Sequence, residues 1–177
     1  LKDPTKSQYA NSGGIERIKM SNNNSNPKAG GNNNNKGKFQ GRVGLEDLKG
    51  NVCSYGVPGQ AERCIRTTKA VAEYVALTYG EEMWSLVHER KDFVSEEPED
   101  PGAEATPGQL KKYEIDYKEW QKDNKQYKKD KAKVFRIIMG QCLTAMKNKL
   151  EGLKEYKEYE KGHDVAGLLS KMRDLVH

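Results

Sequence analysis

A low-complexity run decides where folding of this chain can begin. Ser21-Asn22-Asn23-Asn24-Ser25-Asn26-Pro27 is followed by Gly30-Gly31 and by four asparagines, Asn32 to Asn35. Such a stretch buries too little apolar surface to offset the entropy of ordering it. Residues 1–38 are therefore expected to be a disordered Asn/Gly/Lys-rich tail, and any core must come from residues 39–177. Within the tail, Ile15-Glu16-Arg17-Ile18-Lys19-Met20 is compatible with a turn of helix on a partner, but reads first as linker.

Charge divides along the same line. Residues 1–41 carry seven Lys/Arg and two Asp/Glu, a net of +5, which leaves 24 basic and 24 acidic groups in residues 42–177. Attraction for polyanions is thus concentrated at the N-terminal end. Lys2, Lys6, Arg17, Lys19, Lys28, Lys36, Lys38 and Arg42 are the candidate nucleic-acid contacts, because few acids compete with them and a flexible segment can follow a phosphate backbone.

The remainder reads as all-α, a multi-helix bundle. Phe39, Val43, Leu45 and Leu48 are the first apolar residues close enough together to dock on a core, with a short helical turn expected near Glu46–Lys49 and an extended stretch at Val52–Tyr55. A first long helix is expected over 58–79, with Pro58 in its first turn and Gly80 as its stop. Ala61, Cys64, Ile65, Thr68, Val71, Ala72 and Val75 would form its inward face. A second helix is expected at about 81–91, with Met83, Trp84 and Val87 inward and its end charges complementing the helix dipole. The acidic, Pro-bearing segment 92–106 follows no calcium-loop spacing and reads as a solvated linker.

Thr106-Pro107-Gly108-Gln109 is a capping-box start. The helix it opens could run to about Leu150, and whether it is one helix or two is left open by Gly140. Its first half, Lys111 to Lys133, is Lys-rich with Tyr113, Tyr117, Trp120 and Tyr127 at helical spacing. The lysines are read as a solvated face carrying internal ion pairs, with the aromatics packing inward, in preference to a phosphate-contacting surface with stacking tyrosines. The second half, from Val134 to Leu150, is apolar and is the expected centre of the core. A short helix is expected at Leu153–Tyr159, and a final one from Asp164 with Val165, Leu168, Leu169, Met172, Leu175 and Val176 as its apolar stripe.

Signatures of chemistry are sparse. There is no phosphate-binding glycine loop, HExxH, GxSxG or paired DxD. His88, His163 and His177 are isolated from one another in sequence and read as structural or surface residues. Cys53, Cys64 and Cys142 form no CxxC; Cys64 and Cys142 read as small buried hydrophobes. The reading is of a chain that is not an enzyme and needs no cofactor or metal. No secretory signal follows Leu1 and no apolar run approaches the ~20 residues of a membrane span, so a cytoplasmic, reducing setting without a membrane partner is expected. The opening Leu1 reads as the start of a fragment.

Two stretches carry a resemblance. Gly44-Leu45-Glu46-Asp47-Leu48-Lys49-Gly50-Asn51-Val52 leads into Thr67-Thr68-Lys69-Ala70-Val71-Ala72-Glu73-Tyr74-Val75. Ile138-Met139-Gly140-Gln141-Cys142 is followed by Met146-Lys147-Asn148-Lys149-Leu150-Glu151, then by Asp164, Leu168-Leu169 and Leu175. Together they resemble the Gag region of copia-type LTR retrotransposons over about residues 39–177. The resemblance implies a capsid-like helical domain that polymerises into particles enclosing the element's RNA. The expected partners are then further copies of the chain and RNA, the latter held nonspecifically through the basic tail. Gag proteins of this type often carry a CCHC zinc knuckle after the capsid region, and no such motif stands in residues 39–177. A helical nucleic-acid-binding module that does not assemble, or a helical adaptor, is the alternative.

Overall fold

A computed structural model describes residues 39–177. The expected tail, the turn considered at 15–20, and seven of the eight candidate nucleic-acid contacts (Lys2, Lys6, Arg17, Lys19, Lys28, Lys36 and Lys38) lie outside the described residues. Those residues are all-α, with six helices and no strand: α1 (Gln60–Tyr79), α2 (Glu81–His88), α3 (Pro107–Gly140), α4 (Thr144–Glu151), α5 (Tyr156–Gly162) and α6 (Val165–Val176). A 3-10 turn at Glu46–Leu48 precedes them.

The core forms where the apolar stripes of α1, α2, α6 and the last third of α3 meet. Val71 and Val75 of α1, Leu86 and Val87 of α2, Val134 of α3, Met146 and Leu150 of α4, and Leu168 and Met172 of α6 are each at most 1% exposed. Each such side chain contributes roughly 1.5–3 kcal/mol relative to leaving it in water. α6 packs against α1, α2, α3 and α5 and so lies at the centre of the assembly of helices.

Helix ends follow local chemistry, with some departures from expectation. Thr106 caps α3 as expected: its side chain accepts from the Gln109 N–H, and Gln109 reciprocates on the Thr106 N–H at 2.8 Å. Asp164 caps α6, accepting from the Gly167 N–H at 2.8 Å. α1 begins two residues after Pro58, because Gly59 adopts a left-handed conformation that no helix can continue through. Gln60 then closes the turn, accepting from the Gly56 N–H at 2.7 Å and donating to the Val176 carbonyl at 3.2 Å. α2 stops at His88 rather than 91, because Arg90 is left-handed with φ of 58°. α5 lies three residues later than expected and ends where His163 turns left-handed. On α1, Thr67 is buried in place of Thr68, and Ile65 is 61% exposed rather than inward.

The stretch 107–150, left open as one helix or two, is two helices. α3 ends at Gly140, and α4 begins at Thr144. The segment 51–53 enters this gap: the Cys53 N–H donates to the Gln141 carbonyl at 2.9 Å and the Leu143 N–H to the Cys53 carbonyl at 2.8 Å. The extended stretch expected at Val52–Tyr55 is thus a single parallel bridge between Cys53 and Cys142. Helical continuation through 141–143 would remove those two bonds.

Candidate nucleic-acid interface

Arg42 is the one candidate contact among the described residues. Its backbone N–H donates to Gln141 Oε1 at 2.9 Å. Gln141 is itself 1% exposed and donates its amide to the Leu48 carbonyl at 3.2 Å. Gly41 makes this approach possible: its φ is +112°, and a Cβ there would collide with Gln141 Oε1. Likewise the stem of Arg42 lies over Gly140, where a Cβ would come within 3.0 Å of it. The glycine at the end of α3 therefore admits a crossing segment.

Anchored in this way, Arg42 meets two cations of α3. Arg42, Lys133 and Arg136 line one cleft of about 310 Å³, with Tyr79 in its wall. The Lys133 ammonium sits 5.2 Å from the Tyr79 ring centroid and is also paired with Asp130 at 2.8 Å. Lys133 and Arg136 were not among the sequence candidates. Lys133 closes the Lys-rich half and Arg136 stands in the apolar one, and neither is marked until the fold brings Arg42 into the same cleft.

A second basic surface runs along the middle of α3. Lys125, Lys128 and Lys129 share an open groove of about 660 Å³ with Trp120 and with His163 from the end of α5. The Trp120 indole donates its N–H to the Ser95 carbonyl at 3.3 Å, which fixes the ring. Tyr113 meets Tyr117 in a tilted contact at 5.6 Å between centroids, and Tyr117 stacks on Trp120 at 5.5 Å. The aromatic stripe thus packs on itself and on the 92–106 segment instead of on the core. Tyr127 alone reaches the core's edge.

The acidic segment is correspondingly less free than a solvated linker. Asp92 accepts from the Tyr127 hydroxyl at 2.5 Å and from the Lys131 ammonium, while the Phe93 N–H donates to the Tyr127 oxygen at 2.9 Å. Burial acts to raise the Asp92 pKa, but the hydrogen bonds from Lys131 and Tyr127 outweigh it and hold the carboxyl below its ordinary value. The Tyr127 hydroxyl is pushed up, first by burial and then by its bond to Asp92.

The thiols are drawn together in a way their spacing did not suggest. Cys53, Cys64 and Cys142 are all buried and free, and Cys53 Sγ lies 3.3 Å from Cys64 Sγ. The Cys53 thiol is pushed up by its hydrogen bond with Cys142 together with burial, and the Cys64 thiol by its bond with Cys53 together with burial. Both are poor nucleophiles in the folded chain. Among the described residues, no group of three or more His, Cys, Asp or Glu side chains is arranged to hold a metal ion, and no helix is long and apolar enough to cross a membrane.

No protein-family model matches the chain, no curated protein does, and no solved structure does.

Proposed function

We propose that this chain is a Gag-like structural protein of a retrotransposon, working in the cytoplasm, whose capsid-like helical body self-associates into a shell around RNA. The basic N-terminal segment and Arg42 contact the RNA without sequence preference. One observation supports self-association above the rest: α3 keeps its first two-thirds outside the core. No side chain from 107 to 129 is buried, a length of roughly 34 Å at the helical rise. Leu110 and Ile115 on this arm are 45% and 56% exposed. A solvent-facing helix of this length with large apolar side chains offers a second molecule more surface than its own chain covers. The resemblance over 39–177 accords with that reading.

The test is sedimentation velocity over a concentration series, with and without RNA, on the full chain and on L110K/I115K. Concentration-dependent assembly that the double substitution abolishes, with an unchanged melting temperature, is the expected result. A monomer at every concentration, with and without RNA, would refute assembly. The alternative, a nucleic-acid-binding module that does not assemble, draws on the clefts around Arg42–Lys133–Arg136 and Trp120–Lys128. It is distinguished by strongly salt-dependent RNA binding in a chain that stays monomeric.

A further inference from the structure

We propose that the cleft between α1, the end of α2 and α6 is a binding site for a small amphipathic anion, a phosphate or carboxylate that carries a short apolar group. The cleft measures about 250 Å³, and its lining brings Ile65, Leu169 and Val176 together with Lys69, Arg90 and Arg173. Its size, just under that of ordinary small-molecule pockets, fits a fragment-sized ligand. No carboxylate side chain lines it. The body as a whole is charge-neutral, with 24 basic and 24 acidic groups after residue 41, so a rim of one sign is a local arrangement.

The cations of the rim are uncommitted. Among the described residues Lys69, Arg90 and Arg173 make no ion pair, since the three pairs found are Lys49–Glu46, Lys131–Asp92 and Lys133–Asp130. The Arg90 Nε is buried without a hydrogen-bond partner. A guanidinium is a pure donor with planar fork geometry, suited to the paired oxygens of phosphate or carboxylate. Arg90 also holds a left-handed conformation just past α2, a position where glycine is the favoured residue. Arg90 therefore holds a backbone conformation that its side chain disfavours.

A simpler account is that basic residues near helix C-termini complement the helix dipole, and Arg173 does lie in the last turn of α6. That account leaves the exposure of Ile65 unexplained. Ile65 sits 61% exposed at the spacing of an inward residue, beside two residues of α6. Cations that share a cleft with an exposed Ile65 match a ligand with a charged head and an apolar body.

A reporter stands against the site's lining. His88, also in the lining, stacks on Trp84 at 4.5 Å between ring centroids. Trp120 lies on the α3 arm, so W120F makes Trp84 the sole indole reporter. The experiment titrates hexyl phosphate, hexanoate, inorganic phosphate and hexanol into the full chain by calorimetry and into W120F by fluorescence. The expected result is saturable binding of hexyl phosphate or hexanoate at one per chain, at least tenfold tighter than phosphate or hexanol. R173Q and R90G should each weaken it at least tenfold, while R90G melts no lower than the parent because its backbone strain is relieved. If R90G folds poorly, R173Q alone decides. Absence of saturable binding by either amphipathic anion overturns the proposal, as does equal affinity for hexanol or inorganic phosphate, or undiminished binding by R173Q. None of these outcomes depends on whether the chain assembles.

Discussion

Replacing Gln141 by leucine tests how the N-terminal segment is fastened to the body. The substitution keeps a side chain of similar volume in a site that is 1% exposed, so little cavity forms. It removes the acceptor for the Arg42 N–H, at 2.9 Å, and the donor to the Leu48 carbonyl, at 3.2 Å. The Leu48 carbonyl keeps a second partner, the Asn51 N–H at 3.1 Å, so its loss is one net hydrogen bond, about 1 kcal/mol. The Arg42 N–H is partly buried and loses its side-chain acceptor, which costs about 1–2 kcal/mol. The sum is about 2–3 kcal/mol. For a folded body of about 140 residues, with roughly 2.1 cal/mol/K of unfolding entropy per residue, this lowers the melting temperature by about 7–10 °C. Calorimetry gives the shift, and hydrogen exchange at the Arg42 amide gives its location. A fall of under about 3 °C, or an Arg42 amide as slowly exchanging as in the parent, would refute the argument that Gln141 fastens this segment.

The remaining expectations concern other joints of the fold. G41A should destabilise the chain, since a Cβ there collides with Gln141 Oε1 at a φ of +112°, and its cost should shrink in a Q141A background; additive effects would show that the two do not share that contact. T106A should cost about 1 kcal/mol locally, seen as faster amide exchange over 107–112 with little change in global melting, because no residue of 107–112 is buried; a large fall in melting temperature would show the start of the arm to be coupled to the core. Asp92 has a lowered pKa, so its pairing stabilises the fold above the unfolded carboxylate value of about 3.9 and is lost as pH falls through the lower folded value. Exchange at the Phe93 amide should therefore accelerate below about pH 4, and D92N should remove that acid dependence; a pH-independent parent would count against the pairing. Cys53 and Cys64 should resist a thiol reagent at pH 8 in the native chain and react on unfolding in guanidinium; rapid native labelling at either would contradict their burial and raised pKa values.

What could be read from the sequence was what depends on neighbours in the chain. The Thr106–Gln109 box and the Asp164 cap are written within four residues, and both form as expected. The stripe of α6 follows helical period, and Val165, Leu168, Leu169, Met172 and Val176 are buried. Features set by distant contacts were not legible. Gly140 left one helix or two open, and the answer came from 51–53 entering at Gln141, nearly ninety positions away. Ile65 satisfies the period of α1 yet faces a cleft, because α6 and Arg90 stop short of covering it. The basic rim draws on positions 69, 90 and 173, and the Cys53–Cys64 contact spans eleven residues through a turn, so neither has a local signature. Helix ends at Arg90 and His163 were missed for a related reason: arginine and histidine adopted the left-handed turn usually given to glycine.

The bridge at Cys53 also settles where mechanical load would enter this molecule. Tension on the chain ahead of residue 39, as when a bound polymer drags on it, reaches the body at Phe39 and Gln40, then through Arg42 and the paired backbone of Cys53 and residues 141–143. That junction is the root of α3. A pull from the leading end is thus shared between α4, which Phe39 meets through Lys147, and the base of the long helix, so the joint between α3 and α4 takes the load.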